Sequence, residues 1–219
     1  MKFQMLIMQA YVWFITVGPN FFFALFYGLY FADAMGDTSD LHCVVDLASA
    51  GKMVKPVPLD YKAAGIATDG LEEFIKKNPE RYEDVTEKYR SLMLFGTIVQ
   101  AILFVLSVYQ SITFKPAIDD QANGSQKFIS FGLGVASLTQ IIMTLVARCS
   151  TAGEICAGDY LPDVPMKEYE KYMPYYEKDD GKFLFVTPIV QLCLVPILCC
   201  LTLFTVPMIM LWAIQSESQ

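Results

Sequence analysis

Cysteine and histidine are the residue types in this chain best suited to covalent or metal chemistry, and there are few of them. The single histidine, His42, directly precedes Cys43. A Cys–His pair can supply a nucleophile and a base, but adjacent side chains of an extended segment point in opposite directions. A metal site would need further ligands from distant parts of the chain. The sequence therefore predicts no catalytic residue, no metal ligand and a protein that is not an enzyme.

Cys149 and Cys156 are the candidates for a disulfide. They lie seven residues apart in a segment of small residues, directly after an apolar stretch, and a bond between them would close a short loop. Cys43 is the only other cysteine outside the apolar stretches. Disulfides persist in oxidising compartments, so a bond would place this loop outside the cell or in a lumen. The alternative is three free thiols in a reducing compartment.

Four apolar stretches determine how these residues are positioned. None contains Asp, Glu, Lys or Arg, although charged residues make up 18% of the chain; the stretches are Phe3–Ala32, Ser91–Phe114, Phe128–Ala147 and Phe183–Ser216. Each has at least the roughly 20 residues that a helix needs to cross a bilayer. The expected fold class is an all-α integral membrane protein, with four transmembrane helices in a bundle.

The whole chain, 1–219, is expected to form one membrane domain. Its predicted helices cover about residues 4–32, 90–113, 128–147 and 183–214, joined by structured loops at 33–89 and 148–182. The first apolar stretch is much longer than the 7–15 residues of a signal-peptide core, so it is interpreted as a retained signal anchor.

The two long loops are expected to lie on the same side of the membrane, because two crossings separate them. Both are acidic and account for the formal net charge of −7, which argues against a nucleic-acid partner. Basic residues near the helix ends fall on both sides and leave the orientation open. A disulfide would make both termini cytoplasmic. The glycosylation sequon at Asn123 would then lie on the cytoplasmic side and stay unused.

Small and amide side chains recur at helical spacing within the second and third apolar stretches. Such residues let membrane helices approach closely and bond across the interface. The predicted packing residues are Gly96, Gln100, Gly132, Ala136 and Gln140. Proline removes a helical hydrogen bond, and kinks are expected at Pro19, with the bend near Ile15, and at Pro188, Pro196 and Pro207.

The loops carry signals of their own. Asn78-Pro79 predicts the start of a helix that runs into the second crossing. Leu71, Phe74 and Ile75 give a short apolar face that suits the membrane surface. Tyrosines in the third loop suit either an interfacial anchor or a protein contact surface; they are Tyr160, Tyr169, Tyr172, Tyr175 and Tyr176.

The arrangement resembles MARVEL-type tetraspan membrane proteins. The stretch RCSTAGEICAGDYL, Arg148–Leu161, is similar to the Cys-to-Cys outer loop of such chains. The resemblance implies a protein that organises the membrane of vesicles, junctions or specialised cell surfaces.

Three functions are compatible with these patterns. The first is a non-enzymatic scaffold that binds itself or neighbouring membrane proteins through its non-cytoplasmic loops, in a plasma or vesicle membrane, with no cofactor beyond structural lipids. The second is an accessory subunit of a large bioenergetic complex, such as a respiratory assembly of the mitochondrial inner membrane. The third is a channel lined by amides, namely Gln100, Gln110, Gln140 and Gln191.

Overall fold

Four long helices and a set of shorter elements make up the computed structural model. It describes residue 10 and residues 13–36, 41–53, 56–113, 124–160 and 171–217. The long helices are α1 (Gly18–Gly36), α4 (Val85–Thr113), α5 (Gly124–Arg148) and α7 (Lys178–Glu217). The short elements are β1 (Val44–Asp46), α2 (Leu47–Ala50), α3 (Thr68–Lys77), β2 (Tyr82–Asp84) and α6 (Thr151–Cys156).

Within these residues, four helical segments are long and apolar enough to cross a membrane. By length and composition they are Trp13–Ala34, Val85–Ile112, Phe131–Arg148 and Met173–Leu198. Their outward faces carry large apolar side chains; Phe131, for example, is 72% exposed and Phe204 is 74% exposed. The expectation of four apolar helices in a mostly helical chain is confirmed, and two short strands are added to it.

The long helices pack in a connected series that we call the bundle. Helix α1 lies along α4, α4 packs against α5, and α5 packs against α7. Tyr27 of α1 is fully buried, and a Cβ built on Gly96 of α4 would lie 2.7 Å from its ring. The absence of a side chain at Gly96 therefore lets the two helices meet closely, as expected for a small residue in a membrane helix.

The two proline-containing helices, α1 and α7, differ in how they accommodate the proline rings. Before α1, residues Trp13–Val17 form a π-helical turn, and Gly18-Pro19 follows at once. The irregularity expected near Ile15 thus takes the form of a π turn, one of the usual causes of helix distortion. By contrast, α7 continues as one helix through Pro188, Pro196 and Pro207. The kinks expected at these three prolines stay a prediction.

The first loop folds differently from its sequence-based expectation. Asn78 follows the end of α3, residues 82–84 form β2, and α4 begins at Val85. The helix predicted to start at Asn78 is therefore wrong, because Tyr82–Asp84 pair in antiparallel register with Val44–Asp46. Leu71 is buried in a loop core and Phe74 contacts Tyr82, so the apolar face of α3 packs inward. It does not cover a membrane surface.

Strand β1 connects two hydrophobic cores. Val45 packs with Val85, Ile155 and Leu184 at the end of the bundle. Its neighbour Val44 packs into a second core with Tyr61, Leu71 and Tyr175. Because successive side chains of a strand point to opposite faces, three residues of β1 are enough to hold these two cores together.

Candidate functional site

The candidate functional site is a compact unit at one end of the bundle, which we call the head. It comprises the described residues of the two long loops, 41–53, 56–84, 149–160 and 171–177. The sequence placed both loops on one side of the membrane. The structure joins them into one packed body.

A disulfide links the two loops. It joins Cys43, just before β1, to Cys156 at the end of α6, across 113 residues of sequence. Both cysteines are fully buried, with their Cα atoms 5.9 Å apart. The predicted Cys149–Cys156 bond is therefore wrong, and Cys149 is an exposed free thiol. In the chain-entropy model, a crosslink that closes a loop of about 100 residues stabilises a fold by about 4–5 kcal/mol.

The capping of α6 explains why Cys156, and not Cys149, faces the core. Ser150 caps this short helix, and its hydroxyl accepts a hydrogen bond from the Gly153 amide at 3.1 Å. Ala152, Ile155 and Cys156 are buried on the inner face of the helix. Cys149 lies before the cap, in the turn that follows α5, and points to the surface.

A relay of hydrogen bonds surrounds the disulfide. The Cys43 amide donates to the Thr86 hydroxyl at 2.8 Å, and this hydroxyl donates to the Glu177 carboxylate at 2.6 Å. The Glu177 amide donates in turn to the Cys156 carbonyl at 2.8 Å. The relay runs from the first loop through the start of α4 to the third loop. Both half-cystines are thus fixed by their backbones as well as by the covalent bond.

Three ion pairs tie the edges of the head together. His42 Nδ1 lies 2.9 Å from Asp84 Oδ2, at one end of the β ladder. Arg81 contacts Asp46 at 2.9 Å, and Lys171 contacts Asp60 at 3.3 Å. The last of these pairs joins the third loop to the first.

The ion pairs and caps also shift proton affinities. The hydrogen bond to Asp84 raises the pKa of His42, although partial burial opposes the shift. The guanidinium of Arg81 lowers the pKa of Asp46. The amide of Ala63 and the ammonium of Lys171 lower the pKa of Asp60. All three shifts favour the charged forms of these groups.

Arg148 fastens the head to the bundle. It is the last residue of α5, is buried, and binds Asp159 through two bonds of 2.8 and 2.7 Å. Its Nε also donates to the carbonyl of Gly181 in α7 at 2.8 Å. A buried charge is tolerated only when it is paired and hydrogen-bonded, and both conditions are met here. One side chain therefore fixes the third loop to two helices.

The loop tyrosines that were candidates for a contact surface are placed differently from one another. Tyr175 is buried in the second core, and its hydroxyl donates to Asp60 at 3.1 Å. Tyr160 is half-buried and donates to Glu154 at 3.1 Å, and burial raises its pKa. Tyr172 and Tyr176 are half-buried, and Tyr169 lies outside the described residues. Tyr175 therefore packs the head from within and is not available as an outward contact.

The predicted packing residues of the bundle are only partly brought together. Gln140 is fully buried, and its amide donates to the Tyr27 hydroxyl at 2.7 Å. Tyr27 donates in turn to Gln191 of α7 at 3.5 Å, and Gln100 of α4 is also buried. We call Tyr27, Gln140 and Gln191 the polar node.

Other members of the predicted sets lie elsewhere. Ala136 is half-buried, whereas Gly132 is exposed and a Cβ built on it would meet nothing within 4 Å. Its assignment to a packing face is wrong. Gln110, proposed as a channel-lining residue, is exposed. The four amides of the proposed channel therefore do not face one common interior.

The disulfide decides the fate of the Cys–His pair considered from the sequence. Cys43 is oxidised and cannot act as a nucleophile, so the Cys–His pair considered from the sequence is eliminated. Among the described residues, no group of three or more His, Cys, Asp or Glu side chains is arranged to hold a metal ion.

Comparison of the chain with protein-family models, curated proteins and solved structures finds no match. The resemblance to MARVEL-type tetraspan proteins therefore stays an expectation from the sequence.

Proposed function

We propose that this chain is an integral membrane protein with four crossings that organises membrane by self-association or by binding neighbouring membrane proteins through its head. The observation that carries the proposal is the Cys43–Cys156 disulfide, which joins two separate loops into one body beside four apolar helices. A rigid body of this kind presents a fixed surface. Few loop residues then have to become ordered when a partner binds, which lowers the entropic cost of binding.

The outer surface of the bundle supports the membrane location. Large apolar side chains cover it along the helices; Phe14, Phe131, Val146 and Phe204 are all more than 60% exposed. Soluble monomers rarely expose contiguous apolar patches of more than a few hundred Å². A bilayer removes this surface from water without any partner protein.

The disulfide supports an orientation. Buried, fully formed disulfides are typical of oxidising compartments, so the head is assigned to the extracellular or lumenal side. The connection between α4 and α5 would then be cytoplasmic, and so would both ends of the chain. This placement favours a cell-surface or vesicle membrane.

The interior of the bundle supports a structural role over transport. Three polar side chains buried there bond to one another in the polar node, where they join α1, α5 and α7. Ion pumps and proton relays instead place ionisable residues at membrane depth. The four apolar stretches contain no Asp, Glu, Lys, Arg or His.

Two measurements test the proposal. Thiol labelling with a membrane-impermeant maleimide is expected to modify Cys149 directly on intact cells, or in vesicles only once the lumen has been opened with detergent. Cys43 and Cys156 are expected to react only after reduction and unfolding of the head. Chemical crosslinking and native gels in mild detergent are expected to show oligomers or a bound membrane protein. A strict monomer in detergent and in native membranes would contradict the scaffold function, and co-purification with haem or flavin proteins would replace it by the accessory-subunit function.

A further inference from the structure

A cavity opens where the head meets the bundle. It has a volume of about 440 Å³ and lies between the end of α5, the turn after α6 and the first turns of α7. Its walls include Arg148, Asp159, Lys178, Asp179, Lys182 and Phe185. The walls therefore combine three basic groups and two acids with apolar surface, in a protein whose net charge is −7.

Lys178 and Lys182 supply the positive charge in the cavity that is available to a ligand. Arg148 is committed to Asp159 and to the Gly181 carbonyl, and its guanidinium lies 5.5 Å from the Phe185 ring centre. Lys178 and Lys182 are one helical turn apart, and in the described part of the chain neither ammonium has a carboxylate within 4.0 Å. Asp179 is the other acid in the wall, so the five charged side chains of the cavity carry a formal excess of one positive charge.

The level of the cavity along the bundle matches the boundary between lipid headgroups and acyl chains. Arg148 ends the apolar span of α5, and the charge-free stretch of α7 begins at Phe183, directly after Lys182. Phe185 lies just beyond and is 40% exposed. The cavity thus has an ammonium edge toward the head and an aromatic edge toward the bilayer core.

We propose that this cavity binds the phosphate of an anionic phospholipid, with Lys178 and Lys182 on the phosphate and Phe185 against the first acyl segments. Basic pockets between membrane helices bind anionic headgroups on the cytoplasmic or matrix side of membranes. The same contact between ammonium and phosphate is proposed here for a lipid of the extracellular or lumenal leaflet, where the head is placed. A zwitterionic choline lipid fits less well, because its trimethylammonium group would lie close to the same lysines. The proposal rests on the membrane location proposed above.

The experiment uses the full-length chain purified in a mild detergent and titrated with phosphatidylglycerol, phosphatidylcholine or free glycerol 3-phosphate, with binding followed by native mass spectrometry. The test variant is Lys178→Gln/Lys182→Gln. The control is Lys52→Gln/Lys62→Gln, which makes the same charge change at two exposed lysines of the head. Phosphatidylglycerol is expected to bind best. The test variant is expected to weaken it by about 10- to 30-fold, since each lysine near a membrane surface contributes about 1 kcal/mol, and the control to leave it unchanged.

Each other outcome overturns a defined part of the proposal. Equal binding of both lipids, or equal effects of the two double variants, would show that the lysines recognise no anionic headgroup. Binding of glycerol 3-phosphate as tight as that of the lipid would identify a soluble phosphate ligand instead. Recovery of the chain in the aqueous fraction without detergent would overturn the membrane location itself, whereas a chain that stays in membranes without lipid preference overturns the lipid site alone.

Discussion

The head and the bundle are stabilised by different kinds of interaction. All the ion pairs found among the described residues lie in the head or at its junction with the bundle, and so does the disulfide. The bundle instead relies on close backbone approach at Gly96 and on the polar node. In water, a small loop unit lacks a large core and needs crosslinks, whereas helices in a bilayer need only packing and a few buried bonds. The stability of the head is therefore expected to depend on a few individual interactions, and that of the bundle on many small contacts.

The largest effect is expected from the disulfide. Cys43→Ala/Cys156→Ala should lower the free energy of unfolding of the head by about 3–5 kcal/mol, because the crosslink spans 113 residues. The measurement is limited proteolysis of the head together with thermal unfolding in detergent. The control, Cys149→Ala, removes an exposed free thiol and should change stability by less than about 0.5 kcal/mol. Equal protease resistance of both variants would show that the head does not depend on the disulfide for its stability.

Three glycine-to-alanine substitutions compare the two regions directly. A Cβ on Gly153 of the head would lie 2.2 Å from the Ala147 carbonyl oxygen and 2.7 Å from that of Arg148. Backbone cannot move aside easily, so Gly153→Ala should lower the free energy of unfolding by about 2–3 kcal/mol.

The two glycines of the bundle should be less sensitive. The new Cβ of Gly96→Ala meets only the Tyr27 ring, which can shift, and the substitution should lower the free energy of unfolding by about 1–2 kcal/mol. Gly132→Ala has open space and should be neutral or slightly stabilising. Thermal unfolding of all three variants gives the order, and a Gly132→Ala variant as unstable as Gly153→Ala would contradict it.

A smaller loss is expected from the polar node. Gln140→Leu gives an apolar side chain of similar size but removes the bond to Tyr27, and should lower stability by about 1 kcal/mol, as for hydrogen bonds between membrane helices. Thr139→Val is the control, because Thr139 is exposed and bonds only to the carbonyl of Val135 in its own helix. A loss of several kcal/mol at Gln140 would mean that the bundle, too, depends on a single site.

The smallest effect is expected from His42 and should depend on pH. Asp84 raises the pKa of His42 in the folded protein, so the pair stabilises the fold fully below the ordinary histidine pKa of about 6.5. This stabilisation is lost as the pH rises through the raised pKa. The stability difference between wild type and His42→Gln should therefore be at most about 1 kcal/mol at pH 5, because the pair is partly solvated, and should shrink toward pH 9. Thermal unfolding across this range checks the sign. A difference that grows with pH would contradict it.

The sequence predicted the bundle more completely than the head. Four charge-free stretches indicated four helices, and counting crossings placed both long loops together. Amide spacing correctly singled out Gln140 as a buried residue. These predictions succeed because length and the exclusion of charge are local properties, which can be read along each helix separately.

The errors in the head come from contacts between distant segments. Cys149 and Cys156 are close in sequence, but the cap at Ser150 turns only Cys156 inward, toward a cysteine 113 residues away. Tyr175 looked like a surface tyrosine because its partners, Tyr61 and Asp60, come from the other loop. The opposite faces taken by Val44 and Val45 are a property of a strand, but β1 has only three residues. A segment this short is too short to show the two-residue period by which a strand is recognised in a sequence.

The disulfide also makes residues 43–156 a covalent ring, and this ring contains both α4 and α5. In the proposed membrane placement, the ring passes through the bilayer twice, once along each helix. A protease that cuts the chain between these helices would leave two fragments that remain attached. A force that pulls on the two ends of the chain would be transmitted through the disulfide and not through the ring. The 113 residues between the two cysteines, at about 3.6 Å each, correspond to about 400 Å of extended chain that such a force could not stretch. The central hairpin of the protein is thus shielded from tension carried by the first and last helices.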